Sequence, residues 1–513
     1  MSSVETPAAG DPAGATQNKR QPETNEGGGE EETRKGWKRL KTEKSKRGFG
    51  KKGKGKWVKD FGDDGKDKRD EPPHIGSFAN PAMREKFGIT LDKATPSGDG
   101  NETEPVPTSK KKVVLFLGFL GTRYGGFQAN PDQRTLQAEI ELALYKCGMI
   151  SDTNFGTPHK YSWSNSARTD KGVHACAQVC SLKVELPVSD WEHKPESPTG
   201  DPLGGPMARL QALLPEDIRV LDMVRSTRNF CAKTQRDRVR YQYMVPSFLL
   251  HPDWRGLMED HGIDTAEKRR NADNVRAPLT TTEAEALYAV LKDYRSTEEN
   301  RGLLSAALQK CEGTRSFHNF TKGLKPGQAQ AKRFIETFRA QDPVVVDGIE
   351  WIPTQVLGQS FLLHQIRKMI CVAIDVARGA APLSFMDRAL DPTETVALHV
   401  APAQGLFLEM SYFGGYNRRK NTQTNHDLPD IDWTRDGPAR DRWLAFRNVV
   451  RDHICQEDKN QLNFVQFLFL HECVYGCREA YGLGGKKDEE NVHKEEGAAQ
   501  EKDEGTPEVE TKE

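Results

Sequence analysis

The chain is expected to fold as an α/β (α+β) protein, with strands and helices interleaved along most of its length. Three observations carry that expectation. Lys110-Lys111-Lys112-Val113-Val114-Leu115-Phe116-Leu117 is a short apolar run of strand length. Further on, Val179, Ser181, Lys183 and Glu185 alternate with Cys180, Leu182, Val184 and Leu186, the period of a half-buried strand. Helical periods stand between and after these runs. Leu136, Ile140, Ala143 and Leu144 share one face of Thr135 to Cys147, and Leu363, Ile366, Ile370, Ala373 and Ala377 share one face of a later segment.

The remaining elements follow in order. Between the first strand and the first helix, Gly121, Gly125 and Gly126 permit a turning backbone. Residues 187–206 contain five prolines and read as a loop insertion. A helix and then a strand are expected across Arg209 to Val220, a second polar insertion over 251–280, and a helix from Glu283 to Tyr294. Phe317 and Phe320 are read as packing residues. Trp443 to Arg451 and Phe464 to Tyr481 have helical apolar spacing, which suggests a helical C-terminal extension packed on the core.

A length of 513 residues allows two or more domains. The formal net charge of −1 by itself predicts no nucleic-acid binding, but it sums opposite ends. Arg34 to Lys59 holds 13 Lys or Arg against one acid, Glu43, whereas Lys486 to Glu513 holds 11 acids against 5 Lys. Segments so biased cannot bury enough apolar surface to offset chain ordering, and both are expected to be disordered. The basic arm suits nuclear import or a sequence-blind RNA tether. No stretch reaches the roughly 18 to 20 apolar residues that span a bilayer, and Met1 to Arg20 lacks the apolar region of a signal peptide. The sequence therefore reads as that of a soluble, intracellular protein. Nine cysteines without repeating spacing read as reduced thiols. His471-Glu472-Cys473-Val474-Tyr475-Gly476-Cys477 lacks a second paired half and makes a weak zinc pattern.

The densest chemistry lies in Asn165-Ser166-Ala167-Arg168-Thr169-Asp170-Lys171-Gly172-Val173-His174-Ala175. A lone carboxylate sits there among cations, just before a strand. Arg168 or a more distant cation can hold Asp170 ionised, because an opposite charge within about 4 to 6 Å lowers a carboxylate pKa by roughly 1 to 3 units. An anionic, positioned aspartate serves as nucleophile or general base. The plainer reading is a surface turn rich in Asp and Gly. A second polar stripe, His364, Arg367 and Lys368, runs along the helix that begins near Leu363, and is equally readable as a solvated face.

Ala-Arg-Thr-Asp-Lys-Gly-Val-His-Ala at 167–175 closely resembles the motif of the TruA-type tRNA pseudouridine synthases, with Ala167 where Gly is common. Other segments match in family order: Gly121-Thr122-Arg123-Tyr124-Gly125-Gly126-Phe127-Gln128, Arg240-Tyr241-Gln242-Tyr243, the helix carrying Arg367, and Ala401 to Leu408. Phe230-Cys231-Ala232-Lys233 departs from the usual Phe-His-Ala-Arg. Val173-His174 looks more like the eukaryotic multisite branch. The resemblance covers about 110–415 and implies a core of two pseudo-repeated halves around a mixed antiparallel sheet with a central cleft. The expected organisation is a basic arm at 1–108, core halves at 109–247 and 248–415, a helical extension at 416–485 and an acidic tail at 486–513.

The same resemblance implies isomerisation of uridine to pseudouridine in RNA, with Asp170 catalytic as nucleophile or base. It makes Arg168 a contact for phosphate or for the space left by the extruded base. Tyr241 would stack on the base and assist proton transfer in the site, Arg367 would pair with Asp170, and Leu406 would line the base pocket. No cofactor and no metal are called for. The expected partner is tRNA, and more widely other structured RNAs, in the nucleus; no membrane is implied, and the oligomeric state is open between monomer and homodimer. Two competing readings share the residues: a glycosidase-like hydrolase that releases free base, and a non-catalytic RNA-binding or tRNA chaperone protein.

Overall fold

Among the described residues, ten strands form one sheet in the order β4-β1-β3-β10-β5-β9-β7-β6, with β2 paired to β3 and β8 to β9. The computed structural model describes residues 73–93, 106–192, 205–265, 268, 279–421 and 428–474. In chain order the elements are α1 (Pro81–Phe87), β1 (Thr108–Phe119), α2 (Leu136–Lys146), β2 (Ser164–Asn165), β3 (His174–Pro187), α3 (Val188–Glu192), α4 (Pro206–Leu213), β4 (Ile218–Arg225), α5 (Ala232–Gln235), β5 (Arg238–Pro246) and α6 (Trp254–Asp260). There follow α7 (Thr281–Leu291), α8 (Glu298–Lys310), β6 (Gly313–Ser316), β7 (Lys332–Ala340), β8 (Val344–Val346), β9 (Ile349–Gly358), α9 (Gln365–Ala377), α10 (Ser384–Leu390), β10 (Leu406–Tyr412), α11 (Gly414–Asn421), α12 (Pro438–Gln461) and α13 (Asn463–Phe469). The expected α/β architecture with a mixed sheet is what the chain adopts.

Among the described residues every strand pairing is antiparallel except that of β3 with β10, where His174 faces Phe407 and Ala175 faces Leu408. That short parallel seam joins strands from the first half of the chain to strands from the second. The aspartate segment runs directly into β3, and Leu406 opens β10, so the seam brings the two together.

The alternation predicted for β3 holds only toward its end. Residues 174–182 are buried on both faces, and Lys183, Glu185 and Pro187 turn outward beyond them. The reason is a second layer: α12 packs on β1, β3 and β4. There the ring of Phe446 lies where a Cβ on Gly118 of β1 would sit, 2.3 Å away, so only glycine admits the helix this closely. Trp443 of α12 donates its indole N–H to the Glu409 carbonyl at 3.1 Å. The Glu409 side chain is wholly buried in β10 and ion-pairs with Arg240 at 2.8 Å and Arg447 at 3.5 Å.

Two expectations need correction. The helix α2 does not show water one face; all its residues from Leu136 to Tyr145 are buried, Glu139 and Glu141 included. Buried carboxylates need partners. Glu141 accepts hydrogen bonds from the Ser77 hydroxyl at 2.5 Å, the Tyr161 hydroxyl at 2.7 Å and the Gly156 N–H at 3.1 Å, while burial pushes its pKa up.

Part of the covering of α2 comes from residues 73–93, whose Ser77 bonds Glu141, and which the arm expected over 1–108 had placed outside the fold. Asn80 caps α1 by accepting from the Ala82 N–H, Pro81 sits in its first turn, and Gly88 closes it in the left-handed conformation at φ 64°. Phe78 and Met83 insert into the core. Residues 1–72, 94–105 and 475–513, which contain the basic cluster, the acidic tail and Cys477, lie outside the described residues. Among the described residues, Cys147, Cys176, Cys180, Cys231, Cys311 and Cys455 are free thiols.

Candidate active site

The aspartate loop between β2 and β3 is held by backbone contacts rather than by its own charges. Gln178 of β3 and Asn165 both donate side-chain N–H groups to the Ala167 carbonyl, at 2.7 and 2.6 Å. Arg236 donates to the Ser166 carbonyl. From the far side, Phe127 N–H bonds the Thr169 carbonyl at 3.1 Å. Gly126 has φ 107°, and a Cβ there would stand 3.0 Å from the Thr169 oxygen. Gly121 is tighter still, since its Cβ would meet the Val173 carbonyl oxygen at 2.2 Å. The glycines read in the sequence as turn-formers are therefore also clearance for the aspartate loop. Val173 N–H then bonds the Asp170 carbonyl at 3.1 Å, closing a turn through Gly172 at φ 76°.

A cavity of about 1160 Å³ opens over this loop. Asp170, Arg168, Tyr241, Arg367 and Leu406 all line it, from four separate stretches of chain. Arg168 is exposed, the Asp170 side chain is 31% exposed, and Tyr241 and Leu406 are buried in its wall. In the β10–β5 pairing Leu408 faces Tyr241 and Leu406 faces Tyr243, so Leu406 lies two residues along from the partner of Tyr241. The Tyr241 ring meets Phe361 edge-on, 5.6 Å between centroids at 89°. Burial, with the Asp170 charge adding to it and Arg236 opposing, pushes the Tyr241 hydroxyl up to about 12.

Charge around the cavity is one-sided. Lys171, Lys233, Arg236 and Arg333 join Arg168 and Arg367, against Asp170 as the carboxylate among the described lining residues. Burial pulls the guanidinium pKa values of Arg236, Arg333 and Arg367 down, yet so far from neutrality that they remain cations. Lys233, at the departure from Phe-His-Ala-Arg, reaches the cavity lining; Cys231 does not and lies 3.2 Å from the Ser164 hydroxyl.

Arg367 and Asp170 share the cavity without touching. Arg367 Nε donates to the Ala401 carbonyl at 2.6 Å, and no ion pair within 4.0 Å joins it to Asp170 among the described residues. Its charge acts on the carboxylate across space. The group nearest in that sense is His364, whose Nε2 lies 3.8 Å from Asp170 Oδ2. In the sequence His364 looked like one member of a solvated stripe. The helix in fact begins one residue later, at Gln365, leaving His364 as its N-cap at φ 62°. Leu363, expected on the apolar face, is 52% exposed at the cavity rim, while Ile366, Ile370, Ala373 and Ala377 are buried as expected.

Among the described residues, two groups of side chains have metal-capable atoms within 4.8 Å of one another: His174, His453 and Glu457, and Cys371, Asp375 and His471. Neither group lines the cavity. In the second, His471 Nε2 already pairs with Asp375 at 2.8 Å, and Arg378 pairs with the same carboxylate at 3.0 Å.

The family model described as tRNA pseudouridine synthase matches residues 307–413. The tRNA pseudouridine(27/28) synthase of Saccharomyces cerevisiae is 32% identical over 340 residues, covering 60% of this chain and 85% of the relative. The pseudouridylate synthase 1 homolog of Mus musculus is 30% identical over 375 residues, 72% of this chain and 76% of the relative. The chain belongs to the TruA-type tRNA pseudouridine synthase family. A third relative, tRNA pseudouridine synthase 1 of Yarrowia lipolytica, is 29% identical over 448 residues, 77% of this chain and 80% of its own. This pseudouridine synthase family member thus aligns with its relatives well beyond the 107 residues from 307 to 413.

Proposed function

We propose that the protein isomerises uridine to pseudouridine in tRNA, with Asp170 as the catalytic carboxylate. The observation that supports this best is the convergence of Asp170, Tyr241, Arg367 and Leu406 on one cation-rimmed cavity beside the β3–β10 seam. In the reaction the N1–C1′ bond breaks, the freed base rotates, and C5 becomes bonded to C1′. Positive character develops at C1′. Asp170 meets it either by forming an adduct or by taking a proton from the sugar.

Each neighbour has a physical task. Arg367, fixed by Ala401, stabilises the carboxylate charge in a partly dry site where preorganised charge is most effective. The Tyr241 ring offers a stacking face, worth about 1 to 3 kcal/mol per base, which helps offset the few kcal/mol of extruding a nucleotide. Leu406 supplies an apolar wall to the base. Arg168, exposed on the rim, contacts phosphate or fills the gap the base leaves. The remaining cations attract the RNA backbone.

The relatives' names support tRNA as the substrate and more than one modified position; other structured RNAs form a wider substrate class. The basic cluster within Arg34 to Lys59 supports a nuclear location. No helix among the described residues is long and apolar enough to cross a membrane.

The test is to incubate wild-type protein and Asp170→Ala with unmodified tRNA transcripts, then map pseudouridine and measure free uracil. Wild type should convert specific uridines and release no base, and the variant should bind tRNA with unchanged affinity and convert none. Release of uracil would replace the isomerase with a hydrolase. Conversion by the variant, or none by wild type, would remove the assignment.

A further inference from the structure

Isomerisation also moves one proton, from C5 of the base, and needs a group to accept it. When C5 of the detached base bonds to C1′, C5 still carries its hydrogen and the ring holds an N1=C6 double bond. The C5–H bond must then break. Its electron pair forms C5=C6, the N1=C6 pair moves onto N1, and N1 takes up a proton. A base has to receive the proton from C5.

We infer that His364 is a further catalytic residue of this cavity, the base whose Nε2 accepts the C5 proton. The inference rests on the isomerase reading and adds a residue to it. Position is the first ground. At that stage C5 is one bond away from C1′, the atom that Asp170 faces, so the acceptor must lie within a few ångströms of the Asp170 carboxylate. His364 Nε2 lies 3.8 Å from Asp170 Oδ2 and lines the same cavity. Among the described residues no hydrogen bond occupies either ring nitrogen, which leaves Nε2 open to a substrate.

Elimination among the cavity's groups is the second ground. Arg168, Lys171, Lys233, Arg236, Arg333 and Arg367 are cations with no lone pair to offer. Tyr241 would have to ionise first, and burial holds its hydroxyl near 12. Asp170 leaves C1′, or returns its proton to the sugar, as C5 bonds there, and a carboxylate is ordinarily a weaker base than an imidazole. His364 is neutral near pH 7: burial, followed by Arg367, Lys368 and Lys322, lowers its pKa, against the Asp170 charge that raises it. A neutral imidazole carries the lone pair that a general base needs. The imidazolium that results sits beside Asp170 and can return its proton to N1 or to water.

The backbone agrees. His364 is held at φ 62°, a conformation rare for a side-chain-bearing residue and concentrated at functional sites. It turns the ring toward Asp170 just ahead of the helix that carries Arg367.

His364→Gly suits the test, because glycine takes that φ without strain, so loss of activity is not loss of fold. It is to be assayed on tRNA carrying uridine or 5-deuterouridine, with and without imidazole in solution, beside His364→Asn. Wild type should make pseudouridine. The glycine variant should bind tRNA within about twofold of wild type, turn over about 10² to 10³-fold more slowly, show a larger 5-deuterium isotope effect, and recover at least about tenfold with imidazole. The asparagine variant, which bonds but takes no proton, should be as slow and unrescued. Turnover of the glycine variant within about threefold of wild type overturns the inference, and so does a slow variant with neither isotope effect nor rescue. Absence of pseudouridine with wild type would instead remove the isomerase reading itself.

Discussion

Arg367 spends its Nε hydrogen bond on the Ala401 carbonyl, 2.6 Å away, and so ties the helix α9 to the loop that leads into β10. One side chain thereby fixes its own charge near Asp170 and the approach of Leu406. Arg367→Gln keeps part of the hydrogen bonding and removes the charge. Turnover should fall about 100-fold, equivalent to about 2.7 kcal/mol of transition-state stabilisation, with tRNA affinity changed less than about threefold. Single-turnover rates beside filter-binding isotherms check the split; an equal loss in both would assign Arg367 to RNA binding.

Gly126 carries a second prediction. A Cβ there, at φ 107° and 3.0 Å from the Thr169 oxygen, must push the aspartate loop away or strain the backbone. Gly126→Ala should cost about 1 to 3 kcal/mol of stability. It should also slow turnover by more than that loss explains, since a misplacement of about 1 Å near reacting atoms costs on the order of 100-fold. Melting temperature and turnover at 20 °C below it, measured together, separate the two effects.

Tyr241 is expected to act through its ring. Its hydroxyl, held near 12, stays protonated across the working range, so turnover should show no inflection from it between pH 7 and 10. Tyr241→Phe keeps the stacking face, whereas Tyr241→Ala should lose about 1 to 3 kcal/mol, a factor of about 5 to 150 in kcat/KM. Equal damage from both substitutions would move the role from ring to hydroxyl.

The C-terminal helices confer a pH dependence on stability. Asp458, wholly buried where α12 ends, accepts the Phe464 N–H at 3.0 Å, and burial lifts its carboxyl from 3.8 to about 7. The folded state therefore holds a proton that the unfolded chain releases near 3.8. Its contribution is fully present below that value and is lost as pH rises through about 7, at roughly 1.4 kcal/mol per pH unit within the window. Asp458→Asn should be more stable than wild type at pH 8, with the gap narrowing toward pH 5. Denaturant titrations at several pH values read this directly, and parallel curves would refute it.

The basic arm is tested by deletion. Removing residues 1–72, and keeping 73–93 because Phe78 and Met83 belong to the core, should reduce nuclear accumulation of a fluorescent fusion while changing turnover less than about threefold. Undiminished nuclear signal would overturn the import role.

What could be read from residues alone followed physical reach. The motif around Asp170, the strands at 113–117 and 178–186 and the apolar face from Ile366 to Ala377 depend on neighbours along the chain, and local pattern exposes them. Glu139 and Glu141 looked like a wet face because their partners, Arg134 apart, come from Ser77, Gly156 and Tyr161, which no helical period contains. Residues 73–93 looked like linker because two buried side chains, Phe78 and Met83, carry their attachment amid polar sequence. His364 was hidden by backbone geometry: a positive φ outside glycine leaves no trace in a hydrophobic pattern, and it turned a stripe residue toward the carboxylate.

The seam of His174 with Phe407 and Ala175 with Leu408 also sets a clock. The two strands are separated by more than 200 residues, so at about 5 to 20 residues per second of synthesis the first half waits on the order of 10 to 40 seconds before its partner leaves the ribosome. Throughout that interval the start of β3, beyond its pairing with β2, offers a bare edge to any other extended segment. A nascent chain therefore holds its aspartate long before it holds a reaction chamber, and helpers that shield such edges during translation would govern how much competent protein accumulates.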